Sequence, residues 1–218
     1  MSSRDAILRK LRAAQTPFAD APPPDPHLPV VPLDTGNRAA LIERFIAQAE
    51  ALSSAIHRCA SPDEAHAAIL RVIAPDERVL CWDFAHIPLP GLDAALDRAG
   101  IAVAPPDDAS ARVGITGVDA ALAATGSLVI SSGPGKARQV SLLPLVHIAV
   151  VRVDQIVPHM EAWIAALRAA GTDAFAAASS TVIVSGPSRT ADIAMELILG
   201  MHGPGALHIV LLDSEAQP

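Results

Sequence analysis

Tyrosine is absent and aromatic residues make up only 3% of the 218-residue chain, although 51% of positions are hydrophobic and 43 are alanine. The apolar content is therefore small in volume and suits close packing of helices on a sheet more than the lining of wide cavities. Cysteine is nearly absent too. Cys59 and Cys81 lie far apart in apolar, strand-like surroundings, so neither a disulfide framework nor a CxxC knuckle can be assembled. Two thiols also fall short of the four thiolates that usually hold an iron–sulfur cluster, so no cofactor is expected in this chain. Any iron–sulfur cluster would belong to a partner, and the purified chain should be colourless.

No apolar run reaches the ~18 residues that a spanning helix needs, and Met1–Lys10 lacks the apolar region of a signal peptide. The reading is a soluble, cytoplasmic protein with no membrane association. Basic residues cluster only at Arg4, Arg9, Lys10 and Arg12, against a formal charge of −7. Nucleic-acid binding requires a concentrated cationic face, so that class is set aside.

What is present begins with an arm. Ile7, Leu8 and Leu11 fall at helical spacing, and seven prolines between Pro17 and Pro32 then interrupt any regular pairing. Residues 1–34 read as a helix and Pro-rich arm that packs elsewhere, and residues 35–218 as a single α/β domain. In the domain, helical and strand patterns alternate: a helix around Leu41–Ala49, strands at 55–59 and 79–82, helices from Pro62 to Ile73 and Leu92 to Ala99. Strands follow at 101–104, 113–116, 127–131 and 146–151, then a helix Pro158–Ala170, a strand 181–185, a helix Arg189–Leu199 and a strand 207–212. Strands apolar on both faces between helices predict a largely parallel sheet with helices on both faces.

Three segments place glycine, proline and small hydroxyls at or beside predicted carboxyl ends of strands, where open α/β sheets build ligand crevices. They are Thr125-Gly126-Ser127, Ser185-Gly186-Pro187-Ser188-Arg189-Thr190-Ala191-Asp192-Ile193, and Met201-His202-Gly203-Pro204. In the second, Gly186 allows a turn, Ser188 caps the following helix, and the helix start with Arg189 favours an anion. An ordinary cap with a surface arginine reads the same residues equally well. Asp192, in the first turn of that helix, either complements the dipole or orients Arg189. His147, which opens a strand, and His202, in a Gly-Pro turn, are two imidazoles able to bind a carboxylate, or else structural histidines. The run Gly133–Arg138 is a short flexible loop whose Lys136 and Arg138 suit an anion, or a plain solvated turn. No metal set and no GxSxG elbow is found.

These segments, with Ser141-Leu142-Leu143-Pro144 running into Val146–Val151 and with Gly200–Pro204, resemble the lactate-utilisation protein C family (LutC/YkgG type, LUD domain) over roughly residues 110–212. The resemblance implies a NagB/RpiA/CoA-transferase-like α/β fold. It also implies a role beside iron–sulfur subunits in oxidising L-lactate to pyruvate, with a small anionic ligand (lactate, pyruvate or a phosphate-bearing molecule). The ligand-binding candidates among these residues are Thr125, Gly126, Ser127, Lys136, Arg138, His147, Gly186, Ser188, Arg189, Asp192, His202 and Gly203. One departure stands out: the family usually carries an acid just before the Thr-Gly-Ser triplet, and this chain has Ala124. The alternative is an independent enzyme of the CoA-transferase or sugar-phosphate-isomerase fold group. It would need a nucleophilic or basic carboxylate, and Asp192 is the only one inside a motif segment.

Overall fold

The computed structural model describes residues 3–15, 37–171, 173, 177–191 and 197–213. The Pro-rich part of the arm and Asp192 therefore lie outside the described residues.

Elements follow the sequence signals closely in the first half. Helix α1 (Ser3–Gln15) leaves Ile7 and Leu11 exposed. Helix α2 (Arg38–Ala51) starts where the Asn37 side chain accepts from Ala40 N, and it buries Leu41, Phe45 and Ala49 along one face. Strand β1 (Ala55–Cys59) leads to α3 (Pro62–Ile73), which has Ser61 as N-cap, Pro62 in its first turn, and Ala65, Ile69 and Ile73 facing inward. Then come β2 (Arg78–Cys81), α4 (Leu92–Arg98), β3 (Ala102–Ala104), β4 (Val113–Thr116), β5 (Ala120–Leu122), β6 (Ser127–Ser132) and α5 (Gln139–Leu142). The rest comprises β7 (Val146–Arg152), β8 (Ile156–Val157), α6 (Met160–Ala170), β9 (Ser180–Val184), β10 (Arg189–Ala191), β11 (Leu197–Leu199) and β12 (Ala206–Leu212).

Six strands form the central sheet in the order β1-β12-β7-β4-β2-β3, and every pairing is parallel. Its middle strands are continuous apolar runs because both faces are covered. Ile148, Val150, Ile209 and Leu211 are fully buried, each removal from water worth about 1.5–3 kcal/mol. At β1, Arg58 reaches Glu43 of α2 while neighbouring His57 feels the charge of Arg71 on α3. Successive strand residues point to opposite faces, so α2 and α3 cover opposite faces of the sheet. The expected parallel α/β layer is thus present.

Two expectations need correction. Ser127–Ser132 and Ser180–Val184 do not join the parallel sheet. They pair antiparallel in a second, four-stranded sheet, β8-β5-β6-β9, that includes two short strands unmarked by any long apolar run. The helix expected from Arg189 to Leu199 is not formed. Arg189–Ala191 and Leu197–Leu199 pair as an antiparallel hairpin instead, with Arg189 opposite Leu199. Ser188 cannot open a helix here because its N–H donates to Pro204 O and its carbonyl accepts from Gly200 N. β-Branched Thr190 and Ile198 then sit opposite each other, where strand pairing suits them.

Candidate functional site

The β5–β6 turn and the segment after β9 are both moulded against the carboxyl end of α2. Gly126 has φ +67, and a Cβ there would come 2.3 Å from Ala49 N. Gly186 has φ +83, and its Cβ would meet Leu52 O at 2.4 Å. Both positions need glycine for the left-handed backbone and for the close approach. Arg189 completes the junction. Its Nη2 donates to Leu52 O at 2.5 Å and to Ser53 Oγ at 2.9 Å. A cation at the last carbonyls of a helix complements its dipole, so the guanidinium is held by the protein at a helix end, the reverse of the helix-start site expected for it.

Two cavities meet at Ser185. The larger, about 480 Å³, lies between Leu52, Ala124, Thr125, His159, Glu161 and Ile183. The smaller, about 270 Å³, is bounded by Ser141, His147, Gly186, Ser188, His202 and Gly203, and it shares Ile183 and Ser185 with the first. Because Leu128 pairs with Val184, the next residues toward the turn, Ser127 and Ser185, come together at 2.8 Å between hydroxyl oxygens. Thr125 Oγ1 lies 2.8 Å from Ser127 Oγ. Three hydroxyls therefore run from exposed Thr125, through Ser127 at 2% exposure, to exposed Ser185 on the wall between the cavities.

Three histidines stand on these walls, His147 and His202 in the smaller cavity and His159 in the larger. His147 is buried, its Nε2 is 2.9 Å from Thr116 Oγ1, and burial lowers its pKa to about 4, so it is a neutral imidazole. In the larger cavity, His159 Nδ1 accepts from Ala162 N at 3.2 Å as the N-cap of α6. Glu161 Oε2 lies 3.1 Å from the same nitrogen, so the helix cap and the carboxylate converge on one atom of the ring.

The smaller cavity lies at the amino end of the parallel sheet, since His147 and Leu207 are the second residues of β7 and β12. The sequence pointed to carboxyl ends. The stretch from Ser185 to Ser188, just past β9 in the other sheet, meets that description. The structure thus brings Thr125, Ser127, His147, Gly186, Ser188, His202 and Gly203 to the two cavities. Gly126 and Arg189 support them from α2.

Lys136 and Arg138 line neither cavity. Lys136 Nζ lies 3.0 Å from Asp119 Oδ1, 2.7 Å from Ser131 Oγ and 5.4 Å from the Trp82 ring centre. Arg138 is exposed before α5. The Lys136 cluster occupies the carboxyl ends of β2 and β4, where the strand order reverses direction, and it includes residues the motifs did not flag. At Gly135, a Cβ would come 2.6 Å from Asp83 Oδ2 and 2.8 Å from His86 Nε2. The signal for Asp83, His86 and Asp119 was topological, a switch point between adjacent strands, and needed the strand order to be seen. Leu52, His159 and Glu161 were also missed, because their roles arise only where α2 and α6 converge.

Comparison with known proteins gives a consistent result. The LUD domain family model matches residues 42–212. "Lactate utilization protein C" of Halalkalibacterium halodurans is 41% identical over 104 residues, which is 47% of this chain and 45% of that protein. The protein of the same name from Geobacillus sp. (strain WCH70) is 37% identical over 133 residues, 61% of this chain and 54% of that one. The chain spans about half the length of the curated relatives it matches. Among solved structures, a DUF162 family protein from Deinococcus radiodurans has a TM-score of 0.58 at 22% identity, covering 84% of this chain and 100% of that one, which shows the fold.

Proposed function

Because the chain belongs to the LUD domain family, we propose that it is a cytoplasmic, ligand-binding subunit of an L-lactate oxidation system, acting beside an iron–sulfur protein. The observation that carries this reading is the smaller cavity. Hydroxyls and imidazoles line it and, among the described residues, no carboxylate does, whereas the larger cavity holds Glu161. A small organic acid or phosphate-bearing anion therefore suits the smaller one, on Ser185, Ser188 and the two imidazoles. The relatives' name, lactate utilization protein C, directs the choice toward lactate and pyruvate. Among the described residues no helix is long and apolar enough to cross a membrane.

Electron transfer in this reading rests with the partner. Cys59 and Cys81 are both buried, and burial pushes the Cys81 thiol up to about 12, far from the thiolate that iron requires. A docking face adjoins the smaller cavity: Leu142 on its wall, Leu143, Leu145 and Met201 are all large apolar residues left exposed. Residues 35–218 act as one domain, and the arm at 1–34, through the exposed stripe of α1, adds to the partner contact. Titration calorimetry of the purified chain with L-lactate, pyruvate and inorganic phosphate, repeated with Ser188→Val, tests the ligand half. Co-expression with the iron–sulfur subunit tests the other. Binding of none of the three anions together with no co-purification would overturn the proposal.

A second reading, an independent enzyme, is favoured by the cluster of Asp83, His86, Asp119 and Lys136 at the switch point, which supplies carboxylates beyond Asp192, the only one inside a motif segment. Asp119→Asn separates the two. Loss of growth on L-lactate with anion binding intact would favour chemistry at that cluster, and unaltered growth would remove it.

A further inference from the structure

Strand β1 is an edge of the parallel sheet, paired only with β12 among the described residues. A groove of about 460 Å³ runs along it, lined by four consecutive residues, Ile56 to Cys59, and by α3. Successive side chains of a strand point to opposite faces, so four in a row can line one groove only if it faces the strand's edge. The opposite wall is a single stripe of α3, with Glu64 at one end, Ala67 and Ala68 in the middle, and Arg71 at the other. Glu64 and Arg71 are exposed, and Arg71 forms no ion pair among the described residues.

We propose that a second copy of this chain docks antiparallel along this edge, so that the two sheets continue through a β1–β1 pair while Glu64 of each α3 meets Arg71 of the partner subunit. The stripe is self-complementary under a twofold axis: reversing it puts acid opposite base at both ends and alanine opposite alanine at the centre. The spacing also fits. Helix α3 packs on both β1 and β12, which places its axis above the gap between them. Pairing two β1 edges at the usual strand separation then sets the two α3 axes about 10 Å apart, within the range for packed helices with small residues at the contact. A free sheet edge is a template for another strand, and the charge pattern beside this one selects a copy of itself.

Sedimentation equilibrium and native mass spectrometry of the full chain test the idea. The wild type should be a dimer. Arg71→Glu alone and Glu64→Lys alone should each weaken dimerisation by about tenfold or more, because each sets like charges opposite each other twice. Mixing the two single variants should restore a heterodimer, since every facing pair is then opposite in sign. Circular dichroism melts confirm that each variant is folded, and hydrogen exchange should show the β1 amides slowed in the dimer. A monomeric wild type, a dimer indifferent to both substitutions, or no rescue on mixing would each overturn the proposal.

Discussion

Ser127 and Ser185 join the two cavities by a single hydroxyl contact of 2.8 Å, with Ser127 buried on the β6 side and Ser185 exposed on the β9 side. Their environments separate what their removal does. Ser127→Val leaves Thr125 and Ser185 without their common partner and should lower stability by about 1–2 kcal/mol. Ser185→Ala, at the exposed end, should lower stability by less than half of that while weakening anion binding. Denaturant melts beside calorimetric titration check the pair. Equal stability losses with unchanged binding would show that the contact is structural only.

Gly186 and Gly100 offer a controlled comparison, as both have positive φ but only Gly186 is crowded. Nothing lies within 4 Å of a Cβ built at Gly100, so Gly100→Ala should cost about 1 kcal/mol, the backbone preference alone. Gly186→Ala adds the collision with Leu52 O and should cost about 3 kcal/mol or more. Similar melting points for the two variants would show that α2 retreats freely from the segment after β9.

The sequence carried the turn at Gly186 and the helix opened by Pro62 plainly, because turns and first helical turns are local chemistry. The long strands β7 and β12 were legible for the same reason, since burial on both faces leaves the apolar runs Ile148–Val151 and Ile209–Leu212. What it did not carry was partnership. Ser127–Ser132 looks like any buried strand, and only its pairing with β5 and β9 puts it in a second sheet. Ser188-Arg189 reads as a helix start until hydrogen bonds to Pro204 O and from Gly200 N claim Ser188's backbone. The same tertiary contacts turned Arg189 from an expected anion ligand into the clasp on α2.

For Arg189 the expected outcome changes accordingly. Arg189→Ala should lower stability by about 1–2 kcal/mol through loss of the charge-assisted bonds to Leu52 O and Ser53 Oγ. Arg189→Lys should recover only part of it, because an ammonium lacks the planar fork. Anion affinity should change little in either variant. A large loss of affinity with unchanged stability would return Arg189 to the ligand.

The last prediction concerns acid. His147 has a pKa of about 4 in the folded protein because burial disfavours its cation, against about 6.5 when unfolded. A base whose pKa is depressed by folding stabilises the native state in its neutral form. That contribution is whole above pH ~6.5 and is lost as the pH falls from there toward 4, where it levels off. In full it is worth about 3 kcal/mol. His57 and His208, stacked with their nitrogens 3.0 Å apart, are lowered by burial in the same direction and steepen the fall. Urea midpoints measured from pH 7.5 to 4 should therefore drop for the wild type and drop less for His147→Gln, with the difference between the two growing below pH 6.5. Parallel curves would mean that His147 gains its proton as readily inside the protein as outside, and that the imidazole facing the smaller cavity becomes charged once the pH falls below about 6.5.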